Sequence, residues 1–167
     1  MNAGYIPLDH WVHGPQGGGR NIGEACHVYD LFDALVGRDV AVESVGAHGI
    51  RADGTRLSAS DNFVATVAYA DGSLCTLTYT ALGNRDHPKE QMELFADGTV
   101  LTLDDYKSLR VSGRGAGWRS TTQQKGHSEE LEALANALRD GGPWPISLDE
   151  QLRAMRIAFA VEQQIRQ

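Results

Sequence analysis

The spacing of apolar residues changes twice along the chain, from helical to alternating and back to helical. Placed at 100° per residue, Ile22, Ala25, Tyr29, Phe32 and Val36 fall on one side of a helix, a stripe wide enough to bury. Asn21 is its predicted N-cap and Gly37 its stop. From Asp39 the period falls to two. Val40, Val42 and Val45 predict a strand that Gly46 and Gly49 weaken or bend. Ala52-Asp53-Gly54 reads as a turn. Phe63 to Tyr69 and Ser73 to Thr80 then alternate on either side of Asp71-Gly72, a strong short-range hairpin signal. In the second run Cys75, Leu77 and Tyr79 share the face expected to meet helices. Thr76, Thr78 and Thr80 share the other, β-prone yet polar, suited to water or to another subunit's sheet.

A second hairpin is predicted where Met92 and Leu94, then Val100, Leu101 and Leu103, flank Asp97-Gly98. Leu109 and Val111 predict a further strand. Trp118 to Gln123 return after the glycine-rich turn Gly113 to Gly117. The helical period resumes at Ser128, the predicted N-cap of a helix reaching about Arg139, with Leu131, Leu134, Ala135 and Leu138 as its buried stripe. Gly141-Gly142-Pro143 stops it. Ser147 and Glu150 make a capping box for the last helix, which Leu152, Met155 and Phe159, with Ala158, Val161 and Ile165, continue nearly to the end, its Met and Phe reading as core. Met1 to Pro7 can enter as a strand. Helix, successive strands joined by tight turns, then two helices predict an α+β fold: an open, mostly antiparallel sheet with helices packed on one face and the other face available for subunit contacts.

Length and charge narrow the picture. At 167 residues and 41% hydrophobic, the chain suits one α+β domain spanning residues 1–167. A net charge of −7 argues against nucleic acid as a partner. No apolar run approaches the roughly 18 residues of a membrane span, and no basic segment followed by an apolar one reads as a secretory leader. Cys26 and Cys75 have no metal spacing and read as buried thiols, so a cytoplasmic location is expected.

Candidate chemistry concentrates on the polar side of the first helix. Arg20, Gly23, Glu24, His27 and Asp30 fall within about a third of the helical circle. Charges on one face are ordinarily a solvated face. The glycine triplet Gly17 to Gly19, the mid-helix Gly23 and a histidine between two carboxylates favour a site instead, since such a glycine often marks a close approach. His10, Trp11 and His13 lie in the loop Asp9 to Gly19, which either lines a pocket or is a surface loop pinned by a buried Trp. No G-x-G-x-x-G opens a helix after a strand, and there is no P-loop, His-Glu-x-x-His or nucleophile elbow. Glu24, His27 and Asp30 have the chemistry to ligate a metal, but no second ligand cluster supports one, so none is expected.

Asn2-Ala3-Gly4-Tyr5-Ile6-Pro7, His10-Trp11, and Gly17-Gly18-Gly19-Arg20 through Gly23-Glu24, His27 and Asp30 together resemble the second domain of the Gfo/Idh/MocA family of NAD(P)-dependent sugar and inositol oxidoreductases. Gly126-His127 and Gly141-Gly142-Pro143-Trp144-Pro145-Ile146, each before a helix, fit the same family. The resemblance implies an open sheet whose exposed face makes homo-oligomer contacts and a sugar- or polyol-like substrate lying between two domains. It also implies NAD or NADP held mainly by an N-terminal nucleotide-binding domain. The dinucleotide fingerprint and catalytic lysine of that domain are absent here, so the chain resembles the second half of such an enzyme and is not expected to turn over alone. His27 matches the family's active-site histidine, implied to exchange a proton with the substrate hydroxyl. Many members carry an aspartate where Gly23 stands; Glu24 beside it is implied to orient His27 or to hold a hydroxyl. Asp30 matches a family aspartate. Arg20 is expected to meet an acidic group on the substrate or to pair with Glu24 at i,i+4. Asn2, Tyr5, His10 and Trp11 are further pocket candidates. Two other classes stay open: a non-catalytic assembly module built on the threonine face, and a metal-dependent hydrolase or isomerase using Glu24, His27 and Asp30.

Overall fold

The computed structural model describes residues 1–50, 52 and 55–167, so Asp53 and Gly54 of the turn expected after Ala52 lie outside the described residues. In chain order the elements are a 3-10 turn Trp11–His13, a π turn Asn21–Ala25, α1 Cys26–Val36, β1 Val42–Gly49, a 3-10 turn Ala59–Asp61, β2 Asn62–Tyr69, β3 Leu74–Thr80, β4 Gln91–Ala96, β5 Thr99–Asp104, β6 Ser108–Ser112, β7 Trp118–Arg119, α2 His127–Asp140 and α3 Leu148–Ile165. The class is α+β with antiparallel strands, as the alternation predicts. The strands form two open sheets, β1-β2-β3 and β4-β5-β6-β7. Two compact units result: Ala3–Gly83 with Ile146–Gln167, and Met1–Asn2 with Asn84–Pro145.

In the first unit the period-two pattern of β2 and β3 sets the core. Phe63 pairs with Tyr79, Ala65 with Leu77 and Val67 with Cys75. These side chains, Cys75 half-buried and the others buried, share the inner face with Ala47 of β1. Ala25, Tyr29 and Phe32 on the first helix are buried, as are Ala154, Ile157, Ala158, Val161 and Ile165 of α3, which packs on both α1 and β1. The intervening pairs Val64–Thr78, Thr66–Thr76 and Ala68–Leu74 lie on the outer face, where Thr76 and Thr78 are exposed and Leu74 is 67% exposed. Gly72, at φ +88°, closes the β2–β3 hairpin, and the Asp71 carboxylate accepts from Ser73 N at 2.9 Å.

Two buried polar groups bind the helices to this core. Asn21 is not an N-cap: it lies inside the π turn and is fully buried. Its amide donates to Ala158 O at 2.8 Å and Glu162 Oε2 at 2.9 Å, and it accepts from Tyr29 Oη at 2.8 Å, fastening the π turn to α3. Asp33, also buried, accepts from Tyr69 Oη at 2.8 Å, and Arg153 Nε lies 3.1 Å away as an ion pair without hydrogen-bond alignment. Arg153 donates in turn to the carbonyls of Arg38 and Val40. Gly37, at φ +129°, ends α1 with its N–H on Asp33 O, as predicted. Likewise, Ser147 and Glu150 cap α3 reciprocally, at 2.6 and 3.3 Å.

In the second unit Asp97 (φ +48°) and Gly98 (φ +73°) join β4 to β5, the left-handed pair that a two-residue hairpin favours. Asp105 and Tyr106, at φ +49° and +52°, lie between β5 and β6, a turn with no glycine to announce it. The return strand expected over Trp118 to Gln123 shrinks to β7. Gly126 (φ +77°), not Ser128, precedes α2, and Ser128 lies within its first turn. No residue of α2 is buried; Leu131 is 65% and Leu138 67% exposed. Amphipathicity forms a helix stripe, but burial needs a partner surface. On α3, likewise, Leu152 and Phe159 are exposed and Met155 half-buried, while the smaller residues of the opposite face take the core. Among the described residues no helix is long and apolar enough to cross a membrane.

Candidate active site

The approach to the first helix is shaped by glycines that let backbone lie on backbone. Gly17 lies directly on the backbone of Val12, and Gly19 (φ +88°) donates to Val12 O at 2.9 Å. A Cβ on Gly23 would sit 2.9 Å from Gly17 O, so the close partner of this mid-helix glycine is the loop's own carbonyl. Gly23→Ala is expected to destabilise the fold by about 1 kcal/mol, the balance of ~1–3 kcal/mol of overpacking against ~0.5–1 kcal/mol of regained helix propensity. Urea unfolding of the variant checks it, and a gain in stability would show that the loop yields freely.

The π turn decides which side chains share a face. A turn closed by i→i+5 hydrogen bonds advances less per residue than an α-helix, so Arg20 rotates away from His27 and Asp30. Its side chain is 1% exposed. Nη1 donates to Gly4 O at 2.5 Å; Nη2 donates to Ala3 O at 3.0 Å and Glu24 Oε2 at 3.1 Å, the i,i+4 pairing anticipated above. The guanidinium lies 5.4 Å from the Tyr79 ring centroid, and Tyr79 Oη donates to the same Glu24 Oε2. Burial, then the hydrogen bond and charge of Glu24, push the Tyr79 phenol far above its usual range, so it keeps its proton at neutral pH.

Behind this cluster Asp61 is buried. Its Oδ2 accepts from Ser58 N at 2.6 Å, while Oδ1 faces both Arg20 Nη1 and His13 Nε2 at 4.0 Å. The loop is pinned by His13, whose side chain is buried, and not by Trp11, which is 65% exposed. His10 is also exposed, its ring centroid 5.8 Å from that of Trp11. Tyr5 is exposed beneath the Arg56 guanidinium, 5.3 Å from its ring centroid.

Glu24 is partly buried and His27, three residues on, is exposed. Asp30 pairs with Arg38 Nη1 at 3.0 Å, and Arg38 Nε lies 3.3 Å from Glu150 Oε1, so this aspartate is engaged with the segment after α1. Structure thus brings Arg20 and Glu24 together with Tyr79 and Asp61, two residues the pattern assigned only to a core face or to no role. Among the described residues, no three His, Cys, Asp or Glu side chains converge to hold a metal ion. Nor does the glycine approach form a phosphate cradle: Arg20 N donates to Ser60 Oγ at 3.2 Å, and a Cβ on Gly19 would meet that hydroxyl at 2.9 Å. What the arrangement offers is an exposed imidazole, a group able to exchange a proton, three residues along the chain from an anchored carboxylate.

Comparison with known proteins follows the same line. No curated protein sequence matches the chain. Among solved structures, it is similar to aldose-aldose oxidoreductase from Caulobacter crescentus, complexed with glycerol (TM-score 0.77, 16% identity, 99% of this chain and 51% of that one). It is also similar to UDP-N-acetylglucosamine 3-dehydrogenase GnnA from Acidithiobacillus ferrooxidans (0.70, 20%, 98% and 52%). Biliverdin reductase from Synechocystis sp. PCC 6803, in complex with biliverdin and NADP+, matches at 0.69 and 18%, over 98% and 52%. At these identities the likeness is one of fold, and the chain spans about half the length of each. A family model described as "Oxidoreductase family, C-terminal alpha/beta domain" matches residues 8–94, more than half of the chain. The chain therefore belongs to the Gfo/Idh/MocA oxidoreductase family, through that family's C-terminal alpha/beta domain.

Proposed function

We propose that this chain is the substrate-binding half of an NAD(P)-dependent oxidoreductase acting on a sugar- or polyol-like hydroxyl compound, and that it does not turn substrate over alone. The observation that carries this is the exposed imidazole of His27 placed one helical step beyond Glu24, whose carboxylate is held by Arg20 and Tyr79. His27 exchanges the proton of the substrate hydroxyl, with Glu24 beside it. His10, Trp11 and Tyr5 are exposed and offer rings and an imidazole to a ligand. Arg20 and Asp30, engaged within the protein, act by holding the loop and helix in place. NAD or NADP is assigned to a separate nucleotide-binding domain, and a reducing, cytoplasmic setting agrees with the free thiols of Cys26 and Cys75. Two of the solved structures named above are an aldose-aldose oxidoreductase and a UDP-N-acetylglucosamine 3-dehydrogenase, which supports the substrate class. The test is to join the chain to a nucleotide-binding domain and measure polyol-dependent nicotinamide reduction with and without His27.

A second function of the same chain is assembly. The outer face of β1-β2-β3 carries exposed Thr76, Thr78, Leu74 and Val64, a weakly polar surface suited to a second copy of the chain. Light scattering is expected to show an oligomer that Thr78→Lys dissociates, because a charge at the centre of the face is costly to desolvate. A strict monomer at high protein concentration would remove the assembly role and leave the catalytic one.

A further inference from the structure

Two donors from different parts of the first unit converge on one carboxylate oxygen. Glu24 Oε2 accepts from Arg20 Nη2 at 3.1 Å and from Tyr79 Oη. Neither donor is able to wander. Tyr79 is buried on β3 and stacks on Phe63 with ring centroids 5.1 Å apart and planes 9° from parallel. Arg20 lies 5.4 Å from the Tyr79 ring centroid, and the carbonyls of Ala3 and Gly4 tie it at 3.0 and 2.5 Å. A glutamate on a helix surface ordinarily samples several rotamers; this one is clamped from the sheet side and the loop side together. The clamp acts within the π turn, immediately before the α-helical stretch that presents His27.

We propose that Tyr79 and Arg20 are positioning residues that fix the Glu24 carboxylate against the sheet so that it bears on the proton exchange at His27. This rests on the functional reading above, in which His27 and Glu24 act on the substrate hydroxyl. Tyr79 touches no reacting atom; it acts through Glu24. The phenol is suited to the task because its proton is kept at neutral pH, so the donor does not switch off over the range in which an imidazole titrates.

Tyr79→Phe isolates the hydroxyl, since it keeps the ring stacked on Phe63 and under Arg20. In the isotopically labelled chain by itself, three-bond couplings of Glu24 are expected to report one rotamer in the parent and averaging in Tyr79→Phe. Glu24→Gln is the reciprocal variant: the Tyr79 hydroxyl proton, protected from exchange in the parent, becomes freely exchanging. In the chain joined to a nucleotide-binding domain, Tyr79→Phe lowers kcat about tenfold with KM changed less than about twofold. The double variant Glu24→Gln/Tyr79→Phe loses no more activity than Glu24→Gln alone. A single Glu24 rotamer retained in Tyr79→Phe, or losses that multiply in the double variant, would overturn the proposal. Wild-type turnover in His27→Ala would instead sink the functional reading, while the couplings of Glu24 still report on the clamp.

Discussion

His27→Ala is expected to lower polyol oxidation by the chain joined to a nucleotide-binding domain about 100- to 10,000-fold, the range that general acid–base catalysis contributes. The residue is exposed, so the substitution opens no cavity, and the unfolding midpoint should stay within about 0.5 kcal/mol of the parent, as for surface changes elsewhere. A loss confined to kcat and kcat/KM, with KM nearly constant, marks a group that acts in the transition state more than in binding. Steady-state nicotinamide absorbance over a range of polyol concentrations measures both parameters. Activity within tenfold of the parent would remove His27 from the reaction and leave the first helix with a solvated polar face and no chemistry.

The second large effect is on stability. Arg20→Met is expected to cost about 3–5 kcal/mol, the penalty for removing one member of a buried ion pair. Its guanidinium is 1% exposed, donates to two backbone carbonyls and to Glu24, and is the nearest cation to the buried Asp61. Methionine fills much of the volume but satisfies none of these acceptors, and Asp61 keeps its bond from Ser58 N while losing its guanidinium neighbour. Set against the 5–15 kcal/mol typical of whole domains, roughly a fifth or more of the fold's stability is at stake. The urea midpoint measures it, with parent-like slope as the sign that the same unit unfolds. A change below about 1 kcal/mol would mean that the Ala3–Gly4 segment and the loop hold without the arginine.

Much of the fold was legible because the relevant signals are local. Period-two runs on either side of Asp71-Gly72 and Asp97-Gly98 place both hairpins, and Ser147 with Glu150 marks the start of the last helix. The misses have physical causes. Assigning 100° to every residue put Arg20 on the His27 face; the π turn widens the helix over Asn21–Ala25 and sends the guanidinium inward. Asn21 has the side chain of a cap, but its amide is used as a buried cross-link to α3, a long-range fact that spacing does not carry. The same holds for His13 and Trp11. Both types can be buried, and Asp61 forty-eight residues away decides which of them is. Tyr79 was assigned to the core by its period, correctly for its ring, while the reach of its hydroxyl to Glu24 was invisible. The stripe on α2 was read as core because amphipathicity shows where a helix can bury itself and not whether anything covers it.

The contact between Gly17 and Gly23 ties the entering loop to the first helix turn. Because the carbonyl of Gly17 lies against Gly23, any side chain placed there makes the loop backbone shift to admit its Cβ. That shift falls on the segment resting on the Val12 backbone, so a change at residue 23 is felt at Val12 as well.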